Sequence, residues 1–101
     1  AEPEGGAAEL PRGAETVLVV EDDVDVRATA ASALRVLGYR VLEAGAAEPA
    51  LALLGREPDV GLLLCDLLLP GGKDGLELAR DARSRWPRLR VLHTAGVYVE
   101  P

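Results

Sequence analysis

At 101 residues the chain has room for a single domain, and a hydrophobic fraction of 49% can supply its core. No apolar run is long enough to span a bilayer, and a net charge of −6 argues against a nucleic-acid or anionic-membrane partner. One cysteine excludes an internal disulfide and fits a reducing, cytoplasmic setting, while the lack of Phe leaves Leu, Val and Ala to build the interior.

The opening "AEPEGGAAELPRGAE" has little apolar content and no periodicity, so residues 1–15 read as a flexible acidic linker. It lacks the basic-then-apolar pattern of a signal peptide. Met is absent even at position 1, which predicts a piece of a longer polypeptide. Order is expected from "TVLVV", Thr16 to Val20, a β-branched run suited to a strand buried on both faces. "EDDVDVRATAASALRVLGYR" then reads as a helix with Val26, Ala30, Ala33, Leu34 and Leu37 on its inner face. Asp22 or Asp23 caps its start, and Gly38 stops it. "RVLEA" is a second strand. "AEPALALLGREP" is a short helix, with Pro49 in its first turn and Gly55 after its end. "VGLLLC" is the third strand by its length and flanking turn signals. "GLELARDARSRW" is a third helix that turns Leu76, Ala79, Ala82 or Arg83, and Trp86 inward, and "RVLHT" is a fourth strand.

Strands alternating with helices predict right-handed crossovers and a doubly wound parallel sheet. In such sheets the working groups collect beyond the carboxyl ends of the strands. Those ends carry Glu21 and Asp22 after the first strand, Asp66 after the third and Thr94 at the end of the fourth. Asp66 would otherwise be an anomaly, a carboxylate inside the apolar run "VGLLLCDLLLP".

Carboxylates crowded at one edge repel each other and raise their own pKa values. A hard divalent cation relieves that repulsion, and an all-oxygen set with room for water suits Mg²⁺. Such a site can hold a phosphoryl group beside a carboxylate, which is the arrangement for phosphorylating an aspartate. The plainer reading of "EDD" is a set of helix-capping acids. That reading leaves Asp66 and Thr94 at the same edge without explanation.

The stretches "VLVVEDDVDVR", "LLLCDLLLPGGKDGLELAR" and "VLHTAG", in that order, resemble the receiver domains of two-component response regulators. The resemblance spans about residues 16–96, and the "LPGGKDG" loop and "PRGAETVLVVEDD" entry are most similar to the C-terminal receiver of a hybrid sensor histidine kinase. It implies a flavodoxin-like fold with strand order 2-1-3-4-5, in which residues 16–101 form a receiver domain that is incomplete at its C-terminus, lacking the fifth strand and last helices. It implies a phosphoacceptor, not an enzyme, that takes a phosphoryl group from a histidine kinase or histidine phosphotransfer domain onto Asp66. Asp22 would coordinate Mg²⁺ directly, with Glu21 helping and the main-chain carbonyl of Leu68 as a further ligand. The Thr94 hydroxyl would sense the phosphoryl group, and Asp23 would be a cap or an outer acid.

The sequence also departs from the family. Receivers carry a lysine in a later "KP" segment that ion-pairs with the phosphoryl group, and the only lysine here, Lys73, lies in the loop after Asp66. "GVYVEP" reads either as the start of a truncated region or as a remnant fifth strand with Glu100 in the lysine's place. A degenerate receiver that only mediates protein contacts is therefore the competing function. An aspartyl phosphohydrolase of the haloacid-dehalogenase type is disfavoured, since the second acid it needs two residues after the nucleophile is Leu68 here. Cys65 is expected as a small core residue and His93 as a packed strand residue. The run Arg80, Arg83, Arg85, Arg88 and Arg90 is expected as a solvated face, and Gly71 and Gly72 as a turn.

Overall fold

A computed structural model describes residues 15–67, 69 and 74–94. The strands are β1 (Thr16–Val20), β2 (Arg40–Ala44), β3 (Val60–Cys65) and β4 (Arg90–His93). The helices are α1 (Val24–Val36), α2 (Ala47–Arg56) and α3 (Gly75–Arg85). The strands form one sheet in the order β2-β1-β3-β4, and every pairing is parallel. The central strand β1 is buried along its whole length, as a strand covered on both faces must be.

Helices cover both faces of the sheet. Leu18, Val20, Leu63 and Cys65 pack with Ala50, Leu51 and Leu54 of α2 and Leu78 and Ala82 of α3. On the opposite face Val17, Val19, Val41 and Leu62 pack with Ala31 of α1 and with Tyr39. Successive residues of β1 thus serve alternate cores, the period-2 consequence of the pleat.

Local chemistry sets the helix ends. Asp23 caps α1 by accepting from the amides of Asp25 and Val26 at 2.9 and 3.0 Å. Gly38, at φ 99°, ends it in the left-handed region that glycine tolerates. Asp74 and Glu77 form a reciprocal capping box on α3, with bonds of 2.9 and 3.1 Å.

Three expectations are corrected. The inner face of α1 is Ala30, Ala31 and Leu34, while Val26 and Leu37 are exposed and so is Ala33. Small side chains let the helix axis approach the sheet, and the larger valines sit to either side of that line. In α3 the buried residues are Leu78, Ala79 and Ala82, with Leu76 outside and Trp86 packed at the core margin. Gly55 lies inside the last turn of α2, which runs on to Arg56. Glu15, at the end of the lead-in, is half-buried and ion-paired with Arg90 of β4. Residues 1–14 of the linker assigned to 1–15, the Leu68 carbonyl, Gly71, Gly72, Lys73 and both readings of "GVYVEP" lie outside the described residues.

Candidate functional site

Parallel strands bring their carboxyl ends to one edge, and β1 and β3 are neighbours there: Val20 pairs with Cys65, so the residue after each strand is an acid. Asp66 is fully buried, and its amide donates to the Val20 carbonyl at 3.2 Å. Glu21 is buried, and its amide donates to Ala44 at the end of β2 at 3.1 Å. Asp22 follows on the exposed turn. One carboxylate oxygen from each of Glu21, Asp22 and Asp66 lies within 4.8 Å of the others. The three sequence-predicted acids therefore meet.

Thr94 is half-buried just beyond β4, and its amide donates to the Cys65 carbonyl at 3.0 Å. That bond continues the β3–β4 ladder by one step and brings Thr94 to the edge that carries Asp66. Asp23 contributes its carboxylate to the α1 cap, in line with its expected capping role.

The electrostatics are those of an acid cluster. Burial pushes the Glu21 carboxyl above its ordinary 4.5. The Asp23 amide, donating to Glu21 Oε2 at 3.0 Å, partly opposes this, while Asp22 and Asp66 reinforce it. A hard, oxygen-only donor set of two buried acids and one exposed acid fits a small divalent cation such as Mg²⁺.

Cys65 and His93 sit where cross-strand partners should, with Sγ 3.5 Å from Nδ1 on the face away from Asp66. Burial, and after it the charge of Asp66, pushes the Cys65 thiol up to about 12. Since the thiolate is the reactive form, Cys65 should resist a disulfide reagent at about pH 8 in the folded protein and react fully in denaturant. Rapid labelling under native conditions would place the thiol at the surface. In the basic run, Arg85 pairs with Asp81 at 3.2 Å and lies over the Trp86 ring, 5.9 Å from its centroid. A cavity of about 630 Å³, lined by Leu54, Val60, Trp86, Leu89 and Arg90 among others, opens at the amino edge of the sheet and shares no residue with the acids.

Sequence reasoning missed one residue at this edge, Arg27. Its guanidinium touches both the Glu21 main chain and Glu43 of β2. No local sequence pattern signals these partners.

An open parallel sheet in the order β2-β1-β3-β4, covered on both faces, with acids gathered at its carboxyl edge, defines a flavodoxin-like α/β domain. The chain belongs to the response regulator receiver domain family of two-component systems, whose model matches residues 17–97. Its relatives include the response regulator receiver protein CpdR of Brucella abortus, 38% identical over 80 residues, covering 79% of this chain and 65% of that protein. The sensor kinase CckA of Brucella abortus is 36% identical over 87 residues, covering 83% of this chain and 9% of the kinase. The phosphate regulon regulator PhoB of Pseudomonas aeruginosa is 44% identical over 66 residues, 64% of this chain and 28% of PhoB. The chain thus spans less than two thirds of each of these relatives. Among solved structures, the receiver domain of the hybrid histidine kinase CckA superposes with a TM-score of 0.74 at 36% identity, covering 83% of this chain and 78% of that one. Among the described residues no helix is long and apolar enough to cross a membrane.

Proposed function

We propose that this domain is a phosphoacceptor, receiving a phosphoryl group on Asp66 from a histidine kinase or a histidine phosphotransfer domain. The observation that carries this reading is the convergence of Glu21, Asp22 and Asp66 within 4.8 Å at the end of β1 and β3. Asp66 is the acceptor because it is the fully buried acid at the strand end, where its carboxylate oxygen attacks phosphorus in line as the donor nitrogen leaves. Glu21 and Asp22 would hold Mg²⁺ together with Asp66 and the Leu68 carbonyl, and the cation would supply positive charge against the phosphoryl oxygens. Thr94, at the end of β4, offers its hydroxyl to the phosphoryl group and couples its arrival to the strand. Membership in the response regulator receiver family and the likeness to the CckA receiver support the choice of donor.

The test is labelling by a small phosphodonor such as acetyl phosphate. With Mg²⁺ the chain should gain one acid-stable, base-labile phosphoryl group, and chelation should prevent it. Asp66→Asn should remove the label entirely while leaving the domain folded. Labelling that persists in Asp66→Asn would assign the acceptor elsewhere. No labelling of the wild type with any donor, beside intact binding to a kinase, would favour a receiver that acts only as an interaction module.

A further inference from the structure

Helical side chains lean toward the N-terminus of their helix, so Arg27, one turn into α1, reaches back over the strand ends. Its Nη1 donates to the main-chain carbonyl of Glu21 at 2.9 Å. Its Nε lies 3.5 Å from Oε1 of Glu43, the penultimate residue of β2. Glu43 is held from its other side by Nη2 of Arg35 at 3.3 Å, and the same Nη2 donates to the Val41 carbonyl at 3.1 Å. Gly45 leaves the space that Arg27 occupies, since a Cβ there would stand 2.9 Å from its Nη1.

These contacts converge on one short piece of chain. The Glu21 amide is tied to Ala44 of β2, and the Glu21 carbonyl is tied through Arg27 to Glu43 of the same strand. A peptide unit is rigid, so fixing the Glu21 carbonyl also fixes the Asp22 nitrogen. Glu21 is thereby fastened to β2 through both its amide and its carbonyl, although neither acid's carboxylate takes part in the fastening to Arg27.

We propose that Arg27, braced by Glu43, is a positioning residue that sets the Glu21–Asp22 peptide plane and so aims both carboxylates at the bound cation. The inference rests on the phosphoacceptor reading above. It differs from a charge effect in sign. Deleting a nearby positive charge should by Coulomb's law strengthen cation binding, whereas deleting a positioning group should weaken it. It also separates arginine from lysine, because Arg27 holds the carbonyl and the carboxylate through two different nitrogens of a rigid fork, a span that a single ammonium nitrogen does not reproduce.

The experiment is a calorimetric Mg²⁺ titration of the whole chain, wild type, Arg27→Met, Arg27→Lys and Glu43→Gln, with thermal melts of each in chelator. Loss of a group that orients metal ligands typically weakens affinity by about tenfold or more. Arg27→Met should therefore raise the Mg²⁺ Kd roughly tenfold. Arg27→Lys should be nearly as weak as Arg27→Met, and Glu43→Gln should lose a smaller factor. A lowered melting temperature with an unchanged Kd would make Arg27 merely structural and overturn the proposal. Tighter Mg²⁺ binding in Arg27→Met, or full recovery in Arg27→Lys, would overturn it in favour of a charge effect. If Arg27→Met does not fold, Glu43→Gln decides, unchanged affinity there refuting the brace. A wild type that neither binds Mg²⁺ nor accepts phosphoryl on Asp66 is a separate outcome, which removes the phosphoacceptor reading and this inference with it.

Discussion

Gly75→Ala should lower the unfolding free energy by about 3 kcal/mol, whereas Gly55→Ala should raise it by about 0.5–1 kcal/mol. Gly75 opens α3, and a Cβ on it would collide with the main-chain carbonyl oxygen of Asp66 and stand 2.8 Å from the Cα of Leu67. Both obstacles are backbone, so no rotamer change relieves them. The contact is also bonded, since the Gly75 amide donates to the Leu67 carbonyl at 2.9 Å and Cys65 Sγ lies 3.8 Å from the Gly75 carbonyl oxygen. The added methyl must push the first turn of α3 off the segment that carries Asp66, exposing Leu78 and Ala82 beneath it. Gly55 is exposed within α2, and a Cβ there meets nothing within 4 Å. Alanine at that position only reduces the freedom of the unfolded chain. Urea midpoints of the two variants should move in opposite directions. A Gly75→Ala midpoint at or above that of the wild type would contradict the close approach of α3 to the acid segment. The loss is large against the total of roughly 5–15 kcal/mol that a domain has.

The strands were legible in the sequence because each is short, apolar and bounded. Thr16–Val20 could be read as doubly covered from its short, mostly β-branched run, and it is buried along its whole length. Asp66 was legible because a charge inside "VGLLLCDLLLP" must have a reason, and the strand-end rule supplied one that also drew in Glu21 and Asp22. Helix phase was harder. For α1 the expected face was Val26, Ala30, Ala33, Leu34 and Leu37, yet the sheet is met by Ala30, Ala31 and Leu34. Size and burial part company there because close packing of a helix on a sheet favours small side chains. Leu76 and Leu78 in α3 are similar, since two leucines two apart cannot share a face. Only the three-dimensional position of the Asp66 segment selects Leu78. Arg27 was illegible for another reason. Its partners are a main-chain carbonyl and a residue sixteen positions away on β2, and neither leaves a local pattern.

The acid cluster should cost the metal-free domain stability at neutral pH, and Glu21→Gln should restore it while removing much of the response to Mg²⁺. Glu21 titrates above its ordinary 4.5, with burial as the main cause. The folded state therefore holds a proton that the unfolded chain has already lost, and stability falls as pH rises through the interval between the two values. Above that interval the folded domain carries the full repulsion between Glu21 and Asp66. Glutamine removes the charge but keeps a side-chain oxygen for the Asp23 amide, so the α1 entry should survive the change. Melting temperatures in chelator should fall in the wild type as the pH rises from the ordinary carboxylate value of 4.5 through the raised value of Glu21, and by less in Glu21→Gln. Mg²⁺ at ten times its Kd should stabilise the wild type by about 1.4 kcal/mol near neutral pH, several degrees for a domain of this size. That gain should shrink as the pH is lowered toward 4.5, where the proton competes for Glu21, and in Glu21→Gln it should be small throughout. A wild type whose metal-free stability rises over this range and whose Mg²⁺ response does not depend on pH would show that Glu21 is neither strained by burial nor part of the cation site.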